Sequence, residues 1–169
     1  MIIVALDQSS TGCGVAVVDT EKTHLNAMGL EIKGGLLESA TLKPKGKFDI
    51  ERIYNLGSLV KQILEKYSAS LMVVESHIYG TLKSSEAAEG LASSTFICRF
   101  VAWQQGLQDP IRLVVPRWKK IVTGSGKAKK PEVKQATCTW WGKNPSEVKD
   151  DNQSDALAIA QAYLMEHVK

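Results

Sequence analysis

Ile2-Ile3-Val4-Ala5-Leu6-Asp7, followed after a short polar stretch by Gly12-Cys13-Gly14-Val15-Ala16-Val17-Val18, is the passage on which the fold turns. The first run has no polar alternation, so both of its faces are buried, as in a strand in the middle of a sheet. It stops at once in a carboxylate. Gly12-Cys13-Gly14 reads as the turn that returns the chain into a second apolar strand. Because the run has no basic flank and no small-residue cleavage site, it reads as a core strand rather than a signal peptide.

Outward from there, Asp19-Thr20-Glu21-Lys22 reads as a hairpin turn and residues 25–32 as a third, partly alternating strand. Residues 41–48 are loop-like. Asp49 caps a helix whose apolar positions Ile50, Ile53, Leu56, Val60, Ile63, Leu64 and Tyr67 recur at spacings of three and four. Leu71-Met72-Val73-Val74 is a second buried strand, and it too ends in an acid, Glu75. Residues 86–105 form a long helix in which Gly90, Ala92, Ser93 and Ser94 allow close approach of another helix. Residues 111–115 are a short strand, Pro116 opens a helix over 118–122, and Pro131 opens another that ends near Gly142. The last helix starts at Asn152 or Ser154. Three antiparallel strands, then strands alternating with helices, predict a mixed α/β sheet with helices on both faces, in one domain over residues 1–169.

The whole chain has 21 Lys and Arg against 18 Asp and Glu in 169 residues, a balance of +3. The distribution is uneven. Seven of the bases (Arg117, Lys119, Lys120, Lys127, Lys129, Lys130, Lys134) fall within residues 117–134 beside one acid, Glu132. The rest of the chain then carries 14 bases against 17 acids, which predicts a basic patch on an acidic body. No apolar run approaches the roughly 18–20 residues of a membrane span. Cys13, Cys98 and Cys138 are too far apart for a zinc motif and predict reduced thiols in the cytoplasm.

Asp7 and Glu75 each terminate a buried strand, the end at which open α/β sheets bind ligands. Asp155 lies in Asp150-Asp151-Asn152-Gln153-Ser154-Asp155, just before Ala-Leu-Ala-Ile-Ala, a segment made for burial against the sheet. Any one of these acids could be an ordinary turn or capping residue. Together at one sheet edge they would repel unless a cation held them, and oxygen-only ligands suit Mg²⁺ or Mn²⁺. Two such ions about 3.5–4 Å apart clamp the attacking and leaving oxygens of a phosphodiester. An acidic centre does not attract a polyanion, so such an enzyme needs separate bases, which residues 117–134 supply.

These motifs resemble the RuvC family of Holliday-junction resolvases within the ribonuclease-H-like superfamily, its phage-type members most of all. The resemblance rests on Ile-Val-Ala-Leu-Asp7 with Gly12-Cys-Gly14, on Met-Val-Val-Glu75, on the Trp118–Lys134 segment and on Asp151-Asn-Gln-Ser-Asp155-Ala-Leu-Ala, in family order. It implies a ribonuclease-H-like fold and a homodimer that binds four-way DNA junctions and makes paired nicks with two metal ions. It puts Asp7, Glu75 and Asp155 on the metals and the bases of residues 117–134 along the junction arms. Two departures stand out. Asp7-Gln8-Ser9 replaces the usual Asp-Pro-Gly, and Asn152 occupies the place of a usual Asp or His ligand. Asp151 is then the preferred fourth carboxylate, with Asn152 as the alternative. Ile78 stands where some members stack an aromatic on a base, and Tyr79 is the candidate substitute.

His77, two residues beyond Glu75, could assist a water or a phosphate. Trp103, Trp118, Trp140 and Trp141 are expected in the core, with Trp118 the one placed to reach DNA. Two rival readings are a non-catalytic branched-DNA-binding module and a fragment of an actin-like or sugar-kinase phosphotransferase. The second calls for two domains and a longer chain.

Overall fold

The computed structural model describes residues 1–47, 49–76 and 84–168, with Ala87 described by its backbone only. His77, Ile78 and Tyr79 lie outside the described residues. A five-stranded sheet runs in the order β3-β2-β1-β4-β5. Its strands are β1 (Ile2–Asp7), β2 (Cys13–Leu25), β3 (Glu31–Leu42), β4 (Leu71–Ser76) and β5 (Ile111–Val114). The first three pair antiparallel, whereas β4 joins β1 and β5 joins β4 in parallel. The mixed sheet is the one expected from the sequence.

The hairpin is longer than expected. β2 continues through residues 19–22, where the register slips between Asp19 and Thr23, and the turn falls at Asn26–Leu30 instead. There the Asn26 side chain accepts hydrogen bonds from the Met28 and Leu30 amides, and Gly29 takes a left-handed φ of 75°. The polar residues at 19–22 form an irregularity inside a strand rather than a turn. β3 accordingly begins at Glu31 and takes in Thr41 and Leu42, which had been expected in a loop.

Helices cover both faces. On one, Val4, Leu6, Val15, Val17, Met72 and Val74 pack against α1 (Asp49–Tyr67) and α2 (Ser85–Gln104). On the other, Ile3, Ala5, Ala16, Val18, Val73 and Leu113 pack against α3 (Val115–Thr123), α4 (Lys130–Trp141) and α5 (Asp151–His167). This alternation of neighbours along each strand is the period of two that a sheet covered on both faces requires. Among the described residues no helix is long and apolar enough to cross a membrane. The three cysteines are free and buried.

Candidate active site

The parallel register of β1 and β4 pairs Leu6 with Val74, which brings their next residues, Asp7 and Glu75, side by side at the carboxyl ends of adjacent strands. By alternation both carboxylates follow Ala5 and Val73 onto the face covered by α5. α5 reaches them because the strand beneath it is bare. A Cβ at Gly14, the residue paired with Asp7 across the hairpin, would lie 1.9 Å from the Asn152 carbonyl oxygen. One at Gly12 would lie 2.8 Å from the Asn152 amide nitrogen. These glycines therefore permit the close approach of a helix rather than making a turn.

The first turn of α5 divides its acids among three tasks. Asp150 is the N-cap, accepting from the Gln153 amide at 3.0 Å and from the Thr41 hydroxyl at 2.5 Å. Burial alone would raise its carboxyl, but these hydrogen bonds bring it below the usual range. Asp151 is exposed and pairs with the Lys130 ammonium at 2.7 Å. Asp155, one turn further along, faces the strand ends. Gln153 ties the same turn to the edge strand by donating to the Ser39 carbonyl and hydroxyl at 3.1 and 3.0 Å.

The acids act on one another. Burial and then the charges of Glu75 and Asp155 raise the Asp7 carboxyl well above its ordinary range, while Lys130 opposes them. Burial and Glu75 push Asp155 up to about 6, against the pull of Lys119 and Lys130 and with a further push from Asp151. Lys130 itself is raised, first by its bond to Asp151 and also by Asp155 and Asp7. Asp7, Glu75 and Asp155 thus share one field, with Lys130 as the nearby cation. Among the described residues no three carboxylate, imidazole or thiolate groups stand close enough to enclose an ion as they are. Their chemistry nonetheless fits a hard divalent cation, since buried, mutually repelling carboxylate oxygens offer anionic ligands whose repulsion an ion would relieve.

The expected DNA-binding residues separate into groups. Lys120, Lys127 and Lys129 are exposed. Lys119 donates to the Ala128 carbonyl at 3.1 Å, and Lys134 donates to the Val148 carbonyl at 2.7 Å. Arg117 pairs with Glu166 at 2.9 Å. Glu166 is eleven residues beyond Asp155 on α5, roughly 16 Å along the helix, so Arg117 stands far from the acids. Trp118 does not reach toward DNA. It is fully buried, and its indole N–H donates to Glu75 Oε2 at 3.2 Å. Trp103, expected in the core, is 70% exposed instead. Gln8 went unnoticed in the sequence except as a departure from Asp-Pro-Gly. Its amide donates to the Glu75 carbonyl at 2.5 Å and to the Thr95 hydroxyl at 3.1 Å.

Comparison with known proteins identifies the fold and the family. A family model described as crossover junction endodeoxyribonuclease RuvC matches residues 3–163. The RuvC of Wigglesworthia glossinidia brevipalpis is 30% identical over 166 residues, covering 97% of this chain and 94% of that one. The structure of Thermus thermophilus RuvC in complex with a Holliday junction substrate superposes with a TM-score of 0.80 at 22% identity, over 98% of this chain and 94% of the other. The fowlpox virus Holliday junction resolvase shares the fold more distantly, with a TM-score of 0.57 at 11% identity over 98% and 99% of the two chains. The fold is therefore that of RuvC, a ribonuclease-H-like sheet, and the chain belongs to the RuvC family of crossover junction endodeoxyribonucleases.

Proposed function

We propose that this protein resolves four-way DNA junctions by metal-dependent, paired nicks, acting as a homodimer. The observation that carries the reading is the meeting of Asp7, Glu75 and Asp155, from two strand ends and the last helix, in one repelling, largely buried group beside Lys130. Asp7, Glu75 and Asp155 would hold Mg²⁺, with Mn²⁺ as a substitute and two ions as the working number. When bound, such ions activate a water and stabilise the departing oxygen of a phosphodiester. Asp151 is the fourth candidate because its charge acts on Asp155, although Lys130 now holds it. Asn152 is the alternative, its amide lying over Gly12.

Lys120, Lys127 and Lys129 are free to meet backbone phosphates, and Lys130 can draw a phosphate toward the acids once it leaves Asp151. The dimer reading is supported by α2. Its small residues Gly90, Ala92 and Ser93 line a cavity with α1, while Phe96, Phe100 and Trp103 form an exposed aromatic row along it. Apolar rows of this size on a soluble protein mark contact surfaces. Buried free thiols suit a cytoplasmic site of action.

The test is cleavage of a synthetic four-way junction in Mg²⁺ by the wild type and by Asp7→Asn, Glu75→Gln and Asp155→Asn. Each substitution is expected to abolish nicking and to leave junction binding in EDTA unchanged, because losing an acid does not weaken attraction for phosphate. Full cleavage by any of the three would refute its place in the centre. Tight binding by a wild type that does not nick would leave a junction-binding module.

A further inference from the structure

Glu75 is gripped from two sides by residues that the proposed chemistry does not use. Glu75 is 5% exposed, and Trp118, at 0%, points its indole N–H at one of the two carboxylate oxygens, Oε2. Trp118 sits at the start of α3 inside the core cluster with Val73, Leu113 and Leu157, so the ring has no room to turn away. Gln8 grips the same residue by its main chain. Its Nε2 uses both hydrogens, one on the Glu75 carbonyl and one on Thr95 of α2. An indole N–H only donates, so it pairs with a carboxylate oxygen without competing for a proton. One oxygen of Glu75 is thereby committed, and rotation of the carboxylate is restricted.

We propose that Trp118 is the positioning residue of the acidic centre: its N–H fixes Glu75 Oε2 and so holds the carboxylate in one orientation for a divalent cation. The inference rests on the reading of Glu75 as a metal ligand. Outer partners of this kind hold a ligand in its binding rotamer before the ion arrives, so the ion's binding energy is not spent on ordering it. The same geometry explains a buried tryptophan between Arg117 and Lys119 in a segment otherwise rich in exposed bases. The helix that carries the lysines is anchored through this ring to the acid beneath.

The experiment measures Mn²⁺ binding to the full chain by the loss of the free-ion paramagnetic resonance signal. The key variant replaces Trp118 with benzothienylalanine, which keeps the bicyclic shape and exchanges the N–H for sulfur; Trp118→Phe is the second variant. The expected result is a fall in Mn²⁺ affinity of about tenfold or more. The Mg²⁺ concentration for half-maximal cleavage should move by a similar factor, while the melting temperature of the benzothienyl form and junction binding in EDTA match the wild type. Wild-type Mn²⁺ affinity in the benzothienyl protein overturns the role of Trp118, whatever Trp118→Phe does to folding. Glu75→Gln is the control that separates the two readings. If it binds Mn²⁺ as the wild type does, Glu75 itself is misassigned and the inference falls with it.

Discussion

The two faces of the sheet are covered by helices of opposite character. α5 is mostly small and apolar between Ala156 and Leu164, with Ala156, Leu157, Ala158, Ile159, Ala160, Ala162 and Leu164 all buried between the sheet and its neighbours α3 and α4. α2, on the other face, buries Cys98, Val101 and Ala102 but leaves Phe96, Phe100 and Trp103 to solvent. α5 covers β1 and β4 and is itself packed by α3 and α4, and burial at the strand ends raises the carboxyls of Asp7 and Asp155. On the other face the aromatic row of α2 stays exposed. On the proposed function the difference would separate chemistry from assembly, so substitutions on the two faces should produce different failures.

The largest effect is expected at the acids. Asp7→Asn should reduce junction cleavage by about a thousandfold or more, since a metal clamp supplies several kcal/mol of transition-state stabilisation. The same variant should melt a few degrees higher in metal-free buffer, because it removes a buried, repelled charge. A lower melting temperature, followed by calorimetry, would break the picture of a strained acidic centre. Next is Gly14→Ala, whose added methyl would collide with the Asn152 carbonyl. It should cost about 1–3 kcal/mol in denaturant unfolding as the start of α5 is pushed off the strand. Cleavage should fall with it because Asp155 moves too.

On the opposite face, Phe100→Ser with Trp103→Ser should change stability little while shifting sedimentation from dimer to monomer. Paired cutting would become single, unpaired nicks, and an unchanged dimer would remove α2 from the interface. A smaller signature is the pH dependence of stability. The folded-state carboxyls of Asp7 and Asp155 lie above their unfolded values, so the native state binds more protons than the unfolded one between about pH 4 and 6 and somewhat beyond. Stability in metal-free buffer should therefore decline as the pH rises through that window, and excess Mg²⁺ should flatten the decline. The smallest effect is at the exposed bases. Lys127→Ala with Lys129→Ala should lower the slope of log affinity against log salt by about one to two, since each phosphate contact contributes about 0.9.

The acids at the strand ends were legible because uninterrupted apolar runs end in them, and apolar runs report central strands directly. The last helix was legible through its alanines. The hairpin was misplaced because Asp19-Thr20-Glu21-Lys22 are turn residues by type, yet the edge of a long two-stranded arm accommodates them as a register slip. Trp118 is in the core as expected but does not reach toward DNA, and Trp103 is exposed, for one reason: local sequence reports how polar the neighbours are, not which face of a helix meets the sheet. Arg117, Lys119 and Lys120 surround Trp118, but α3 turns only that ring inward. Gln8 was visible only as an oddity, since its role depends on Glu75 and Thr95, 67 and 87 residues away.

The order of the elements also has a consequence during synthesis. The acids come from the first strand, the fourth strand and the last helix, and α5 rests on β1 and β2. Chains generally begin to fold from the N-terminus as they are made. A nascent chain can assemble β1 to β4 and bring Asp7 beside Glu75 while Asp155 is still inside the ribosome. Until the final helix emerges and docks over Gly14, the unfinished polypeptide has an incomplete acidic centre. If these acids form the centre as proposed, cleavage therefore waits for α5 to dock.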